Sequence, residues 1–261
     1  MTKIRFGGMA LVNGVLVHGP TSWACAIRTD SGEIKVASAR KRLLASRIQQ
    51  PFLRGPIRLA ESFAVIPEVR RKLPEARLPF ERPIVLAATL ASAMTVQVVR
   101  RSDRLGDVAR ELLSGALSLA PAMLALRGGE LAGYHGAEHV SIGTYEHDET
   151  RAKEHERCGS HLIGPLLAAT AAGNVLASRA PARLRRQAQV ASSLGAVGAA
   201  VEVFGWMTRH PEHPLSKALA WPGHELQHRI ATAEPSPEQL EVAEAALAAC
   251  LKLEDGDAAD N

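Results

Sequence analysis

The sequence predicts a mostly α-helical α+β protein, with a small N-terminal β-hairpin element followed by a helical bundle body. Three observations predict this. Apolar residues make up 46% of the chain, but alanine dominates them and aromatics are only 4%, a balance that favours packed helices over a β-sandwich. Gly-punctuated alternation is confined to residues 4–38. Four charge-free runs of helical length then follow in the second two thirds of the chain. With 261 residues there is material for one large core. The expected organisation is a single domain over 1–253, comprising the β-element (1–38), a basic Pro-punctuated segment (39–82) and the helical body (83–253). An acidic disordered tail is expected over 254–261.

In ALVNGVLVHGP an Asn13-Gly14 step separates two apolar runs, the strongest short-range signal for a hairpin. A second hairpin is expected from Trp23 to Arg28, turning at Asp30-Ser31-Gly32 and returning from Glu33 to Ala37. Asn13 and His18 flank the Gly-rich turn and are candidate functional polar groups. Residues 40–81 carry prolines at 51, 56, 67, 74 and 79, which predicts short helices joined by turns. At the other end, Ser236, Pro237 and Glu238 supply a cap, a first-turn proline and an acid for a helix running to about Leu253.

The charge-free runs are Pro83 to Val99, Leu112 to Leu126, His161 to Ser178 and Gln187 to Val201. All lie at or below the short end of what crosses a bilayer, and Thr, Ser, Gln, Asn, Gly and Ala dilute them. Four spans with a cytoplasmic N-terminus would place Arg179 to Arg186, with four arginines and no acid, outside; this breaks the positive-inside tendency. Sequence physics therefore favours a soluble or peripheral helical body, with partial insertion of a helical hairpin as the rival. Localisation is expected to be cytoplasmic or at the cytoplasmic membrane, since no apolar signal-peptide core follows MTKIRFGG. Cys25, Cys158 and Cys250 are too scattered for a disulfide framework.

Net charge is +4, concentrated between Arg40 and Arg82, where eleven basic residues face four acidic ones. This is read as a solvated surface, with an anionic membrane surface as a possible partner. No interleaved aromatics accompany the charge, so nucleic acid is not expected as a partner.

The chemistry concentrates between Tyr134 and His161, which hold five of the ten histidines. His135, Glu138 and His139 form H-x-x-E-H, and His155 and Cys158 form H-x-x-C. Residues four apart share a helix face, so His135 and His139 can grip one ion. The x2 spacing suits a tight turn, and the fifteen residues between the pairs are a closing loop. Nitrogen and thiolate ligands suit Zn²⁺ or another divalent transition metal. The predicted metal ligands are His135, His139, His155 and Cys158, with Glu138 as general base. Four bound groups would make a closed structural site; three would leave a position for water. Glu146, Glu154 and His147 are candidates for orienting the ligands. A second motif, His224-Glu225-Leu226-Gln227-His228, has the zincin spacing H-E-x-x-H but no clear third ligand. Cys158 as a nucleophile beside His155 or His161 ranks below metal binding, for want of an oxyanion-hole motif. Cys25 and Cys250 read as buried apolar residues.

GGMALVNGVLVHGPTSWACAIR, YHGAEHVSIGTYE, HERCGSHLI and HPLSKALAWPGHELQ…EPSPEQLEVAEAALAACL occur in this order. Together they resemble the YqhQ family of bacterial proteins, a domain of unknown function described as predicted metal-dependent enzymes. The resemblance implies functional roles for His135, Glu138, His139, Glu146, His155 and Cys158, and points to Arg54-Gly55 and the first Gly-rich block. It also implies a multi-pass membrane protein. The family typically has Glu, Arg and Lys where this chain has Asn13, His18 and Val140, and apolar residues where it has H-E-x-x-H. The expected function is metal-dependent hydrolysis of an amide, ester or similar bond of an unidentified substrate. A metal-stabilised scaffold is the alternative.

Overall fold

In the computed structural model, which describes residues 3–42, 48–102, 104–127 and 129–259, the N-terminal segment folds into an antiparallel meander. Its strands are β1 (Gly7–Leu11), β2 (Gly14–His18), β3 (Ser22–Arg28) and β4 (Ile34–Arg40). Both expected hairpins form. The first turn is shifted by one residue, because Leu11 pairs with Gly14 and the two loop residues are Val12 and Asn13. Gly14 is needed for space: a Cβ there would lie 2.2 Å from the Ala26 carbonyl oxygen. Asn13 ties the turn to the following segment, donating to the Arg28 and Glu75 carbonyls and accepting from the Arg77 N–H.

The period-2 alternation sends two apolar sets to opposite faces. One face carries Ala10, Val15, Val17, Ala24 and Ala26, and packs on α5 (Glu130–His147) and α9 (Pro237–Ala259). The other carries Leu11, Leu16, Trp23, Cys25 and Ile27, and is covered by Val65, Val69 and Leu73. These come from the end of α1 (Arg54–Ala64) and from α2 (Ile66–Lys72), the short helices expected of the Pro-punctuated segment; its residues 43–47 lie outside the described residues. The sheet is thus sandwiched between helices.

The end of the chain departs from the sequence reading. Ser236 and Gln239 form a reciprocal cap, but α9 runs to Ala259, past the expected end at Leu253. The tail expected over 254–261 is therefore helical through Ala259, and the last two residues lie outside the described ones. Glu254 drives the extension. Its carboxylate accepts from the Thr21 N–H and Oγ1 (3.0 and 2.9 Å) and the Ser22 N–H and Oγ (2.7 and 2.6 Å).

The charge-free runs become α3 (Pro83–Arg100), α4 (Asp107–Leu126), α6 (Ile163–Ser178) and α7 (Arg185–Arg209). They pair as two antiparallel hairpins, α3 with α4 and α6 with α7, followed by α8 (Pro214–Leu226). Among the described residues these helices are largely exposed. Only 11% to 22% of the apolar windows in the α3, α6 and α7 spans is buried, and three helices are long and apolar enough to cross a membrane. On α3 the stripe Leu86, Leu90, Met94, Val98 stands exposed along its length.

A candidate metal centre beneath the sheet

α5 is buried nearly all round. Small residues let its neighbours close in: a Cβ on Gly136 would lie 2.1 Å from the Ala233 carbonyl oxygen, and one on Gly8 of β1 would lie 2.3 Å from Glu138 Oε1. Glycine at position 8 therefore makes room for the carboxyl group. Glu138 is 6% exposed and its Oε2 has no hydrogen-bond partner among the described residues. Burial pushes its pKa up, against the smaller downward pull of His135 and His155.

His135 and His139 lie one turn apart, ring centroids 4.4 Å from each other and ring planes tilted by 60°. The loop after α5 returns Cys158 to them, its Sγ 3.6 Å from His135 Nε2. One ligand atom from each of His135, His139 and Cys158 lies within 4.8 Å of the others. This spread is slightly wider than the roughly 3.3–3.8 Å between ligand atoms implied by tetrahedral Zn–N and Zn–S lengths, so a small rotamer adjustment closes it. The tautomers fit as well. His135 Nδ1 is 2.8 Å from the Ala231 carbonyl oxygen and His139 Nδ1 is 2.6 Å from that of Lys153. A carbonyl only accepts, so each Nδ1 carries the proton and each Nε2 is left with a free lone pair, the arrangement typical of metal-ligating histidines. Burial holds the His139 pKa down, which keeps that lone pair available.

His155 stands beside this group. Its ring is 5.5 Å from that of His139, its Nδ1 accepts from the Arg157 N–H, and its Nε2 faces Glu146 Oε2 at 3.5 Å. With Nδ1 accepting, the neutral ring carries its proton on Nε2, towards Glu146. Glu146 also pairs with Arg157. Burial raises the Glu146 pKa, but hydrogen bonds from His155 and Arg157 outweigh it and hold the carboxylate ionised. Glu154 reaches His228 Nδ1 at 2.9 Å, and His147 lies 3.8 Å from Glu156.

The H-E-x-x-H motif does not assemble. Glu225 pairs with Arg229, the His224 and His228 rings are 6.3 Å apart, and the helix widens to a π-turn over Gln227–Ala231. Its contribution is Gln227, which the motif treats as a spacer. Fully buried, Gln227 accepts from the His155 N–H (2.8 Å) and donates to Ser160 Oγ (2.8 Å) and the His155 carbonyl (3.3 Å), fixing the loop that carries Cys158. The sequence signal was its place in HPLSKALAWPGHELQ. The same π-turn supplies the Ala231 carbonyl that orients His135.

The other flagged residues have structural surroundings. His18 lies with Lys41, Glu61 and Ser62 on the α1 face of the sheet. Arg54 pairs with Glu202, and Gly55 lets Val201 approach, so this pair docks α1 on α7. Cys25 and Cys250 are buried and free.

Residues 130–253 match the family model described as protein of unknown function DUF1385. Over this segment the chain is similar to the DUF1385 family. The DUF1385 segment contains His135, His139 and Cys158 together with Glu138, Gln227 and the loop between them. The uncharacterized protein YqhQ of Bacillus subtilis (strain 168) is 33% identical over 129 residues, a match covering 46% of this chain and 40% of that protein. The chain thus spans less than half the length of this relative. No solved structure matches the chain.

Proposed function

We propose that this chain is a membrane-embedded, zinc-type hydrolase in which His135, His139 and Cys158 hold the ion and Glu138 moves the proton. The observation that carries the reading is the pair of Nδ1 bonds to backbone carbonyls, which frees two Nε2 lone pairs beside a cysteine sulfur. When bound, such an ion supplies Lewis acidity and lowers the pKa of water. Glu138 is the acid–base group because it is buried, its pKa is raised and one oxygen has no partner. His155 takes the orienting role, with Glu146 on its far nitrogen, and so leaves three ligands and an open position.

The membrane part rests on the exposed apolar surfaces of both hairpins, α3–α4 and α6–α7. Arginines close both at the end far from the sheet: Arg100 and Arg101 in one, Arg179, Arg183, Arg185 and Arg186 in the other. Long arginine side chains there reach lipid phosphate.

Elemental analysis of protein purified without added metal tests the centre. One zinc-type ion per chain is expected, lost in His135→Ala and Cys158→Ala and retained in Glu138→Gln, which loses hydrolysis of a panel of ester and amide reporters. Unfolding on metal removal with four protein ligands bound would instead establish a structural site. Absence of stoichiometric metal would sink the proposal, and release of the chain from membranes by a carbonate wash would sink its membrane part.

A further inference from the structure

A cavity of about 420 Å³ lies between the end of α5, the 156–161 loop, the base of α7 and α8. Its walls differ in character. Phe204 and Met207 of α7 supply an apolar side, while Arg5, Arg157 and Lys217 supply a cationic one. Two further lining residues are buried with a polar atom lacking any partner among the described residues: Ser216 Oγ, in a residue 2% exposed, and His161 Nδ1, in a residue 5% exposed. An unpaired buried hydroxyl is unfavourable, and a ligand with acceptor oxygens removes that penalty. Arg5 likewise has no ion-pair partner among the described residues, and Lys217 is held only by an exposed pair with Glu212. Glu146 and Glu156 also line the cavity; Glu146 is already bonded to Arg157 and His155.

Two tryptophans fix the level of this cavity. Trp206 sits at the base of α7, and Trp221 on α8 is 64% exposed, with Leu215 exposed on the same helix. Tryptophans gather at the membrane–water interface; Trp206 is half-buried near the end of α7, and Trp221 stands exposed within α8. A second cavity of about 390 Å³ shares His147, Glu156, His161, Lys217 and Ala220 with the first and is lined by His155, beside the metal group.

We propose that the first cavity takes the phosphate headgroup of an anionic membrane phospholipid. Arg5, Arg157 and Lys217 meet the phosphate, Ser216 Oγ donates to it, and the acyl chains leave along the exposed apolar side of α7. The assignment rests on the membrane reading given above and not on the presence of metal.

The test is calorimetric titration of the full chain in neutral detergent with dioctanoyl-phosphatidylglycerol, dioctanoyl-phosphatidylcholine and inorganic phosphate. Saturable binding of the anionic lipid is expected, at least tenfold tighter than either comparison ligand. Lys217→Glu combined with Arg5→Glu should weaken it at least tenfold, and Ser216→Leu should abolish it; the first pair lies at the surface and leaves folding intact. Equal affinity for the two lipids overturns the proposal, as does wild-type affinity in the charge-reversed pair. Phosphate binding as tightly as the lipid also overturns it and assigns the cavity to a soluble anion. Repeating the titration after chelation separates the two readings: selective lipid binding without metal leaves this proposal standing alone, whereas a zinc-loaded chain without lipid preference overturns only this one.

Discussion

Gln227→Leu isolates the contribution of the strut under the Cys158 loop, because leucine matches the volume and keeps none of the bonds. The change deletes two well-formed hydrogen bonds at 2.8 Å and a longer one at 3.3 Å. At about 1 kcal/mol each the two good bonds account for about 2 kcal/mol, and the stranded His155 N–H adds about 1–2 kcal/mol. The total of roughly 3–4 kcal/mol falls on the segment that positions Cys158 against His135 and His139. Since about 1.4 kcal/mol is a factor of ten, even half of this loss weakens metal binding by about 10–30-fold, within the range of about 10–100-fold seen when ligand-supporting groups are removed. Competition with a chromogenic zinc chelator measures the affinity. Hydrogen exchange at the His155 amide gives a readout independent of metal and should quicken at least tenfold. An affinity within twofold of wild type, together with an unchanged His155 exchange rate, would refute the assignment of Gln227 as the strut.

Two further outcomes follow from buried charges and rings. Glu254→Ala removes an acceptor of four hydrogen bonds and leaves the fully buried Ser22 hydroxyl only its long 3.5 Å contacts with Cys250, so a loss of about 3 kcal/mol or more is expected in thermal or denaturant unfolding; a loss below 1 kcal/mol contradicts the role given to the end of α9. His18 is held neutral, its pKa lowered from 6.5 to about 4 by burial and then by the Lys41 ammonium. The unfolded chain therefore binds a proton that the folded one refuses between those values. Stability falls as pH drops from about 6.5 to 4, by at most about 3 kcal/mol. His18→Gln should flatten that stretch of the stability–pH curve, and an unchanged curve counts against it.

Much of this architecture could be read from local pattern. The strands announce themselves by alternation, the helices by charge-free runs between arginines, and the His135–His139 pair by its spacing of four. What could not be read has a common cause, in that it depends on contacts distant in sequence. Gly14 looks like a turn residue but is required by the Ala26 carbonyl across the sheet. Glu254 looks like part of a solvated tail until Thr21 and Ser22 arrive more than 230 residues away. His224 and Glu225 look like half a zincin, yet the π-turn after them hands the useful groups to Gln227 and Ala231. The sequence reading weighed the dilution of the apolar runs by alanine and serine; the structure adds that Leu86, Leu90, Met94 and Val98 line up exposed along α3.

The sandwich around the N-terminal sheet also sets an order of events during synthesis. One of its faces is covered by α1 and α2, made immediately after it, but the other waits for α5 and then for α9, whose first residue is Pro237. Both apolar hairpins leave the ribosome in that interval, while half the sheet is still uncovered. Contacts of such long sequence separation form slowly. The side of the sheet that meets α5, where Gly8 makes room for Glu138, is therefore completed last, when α9 closes over it.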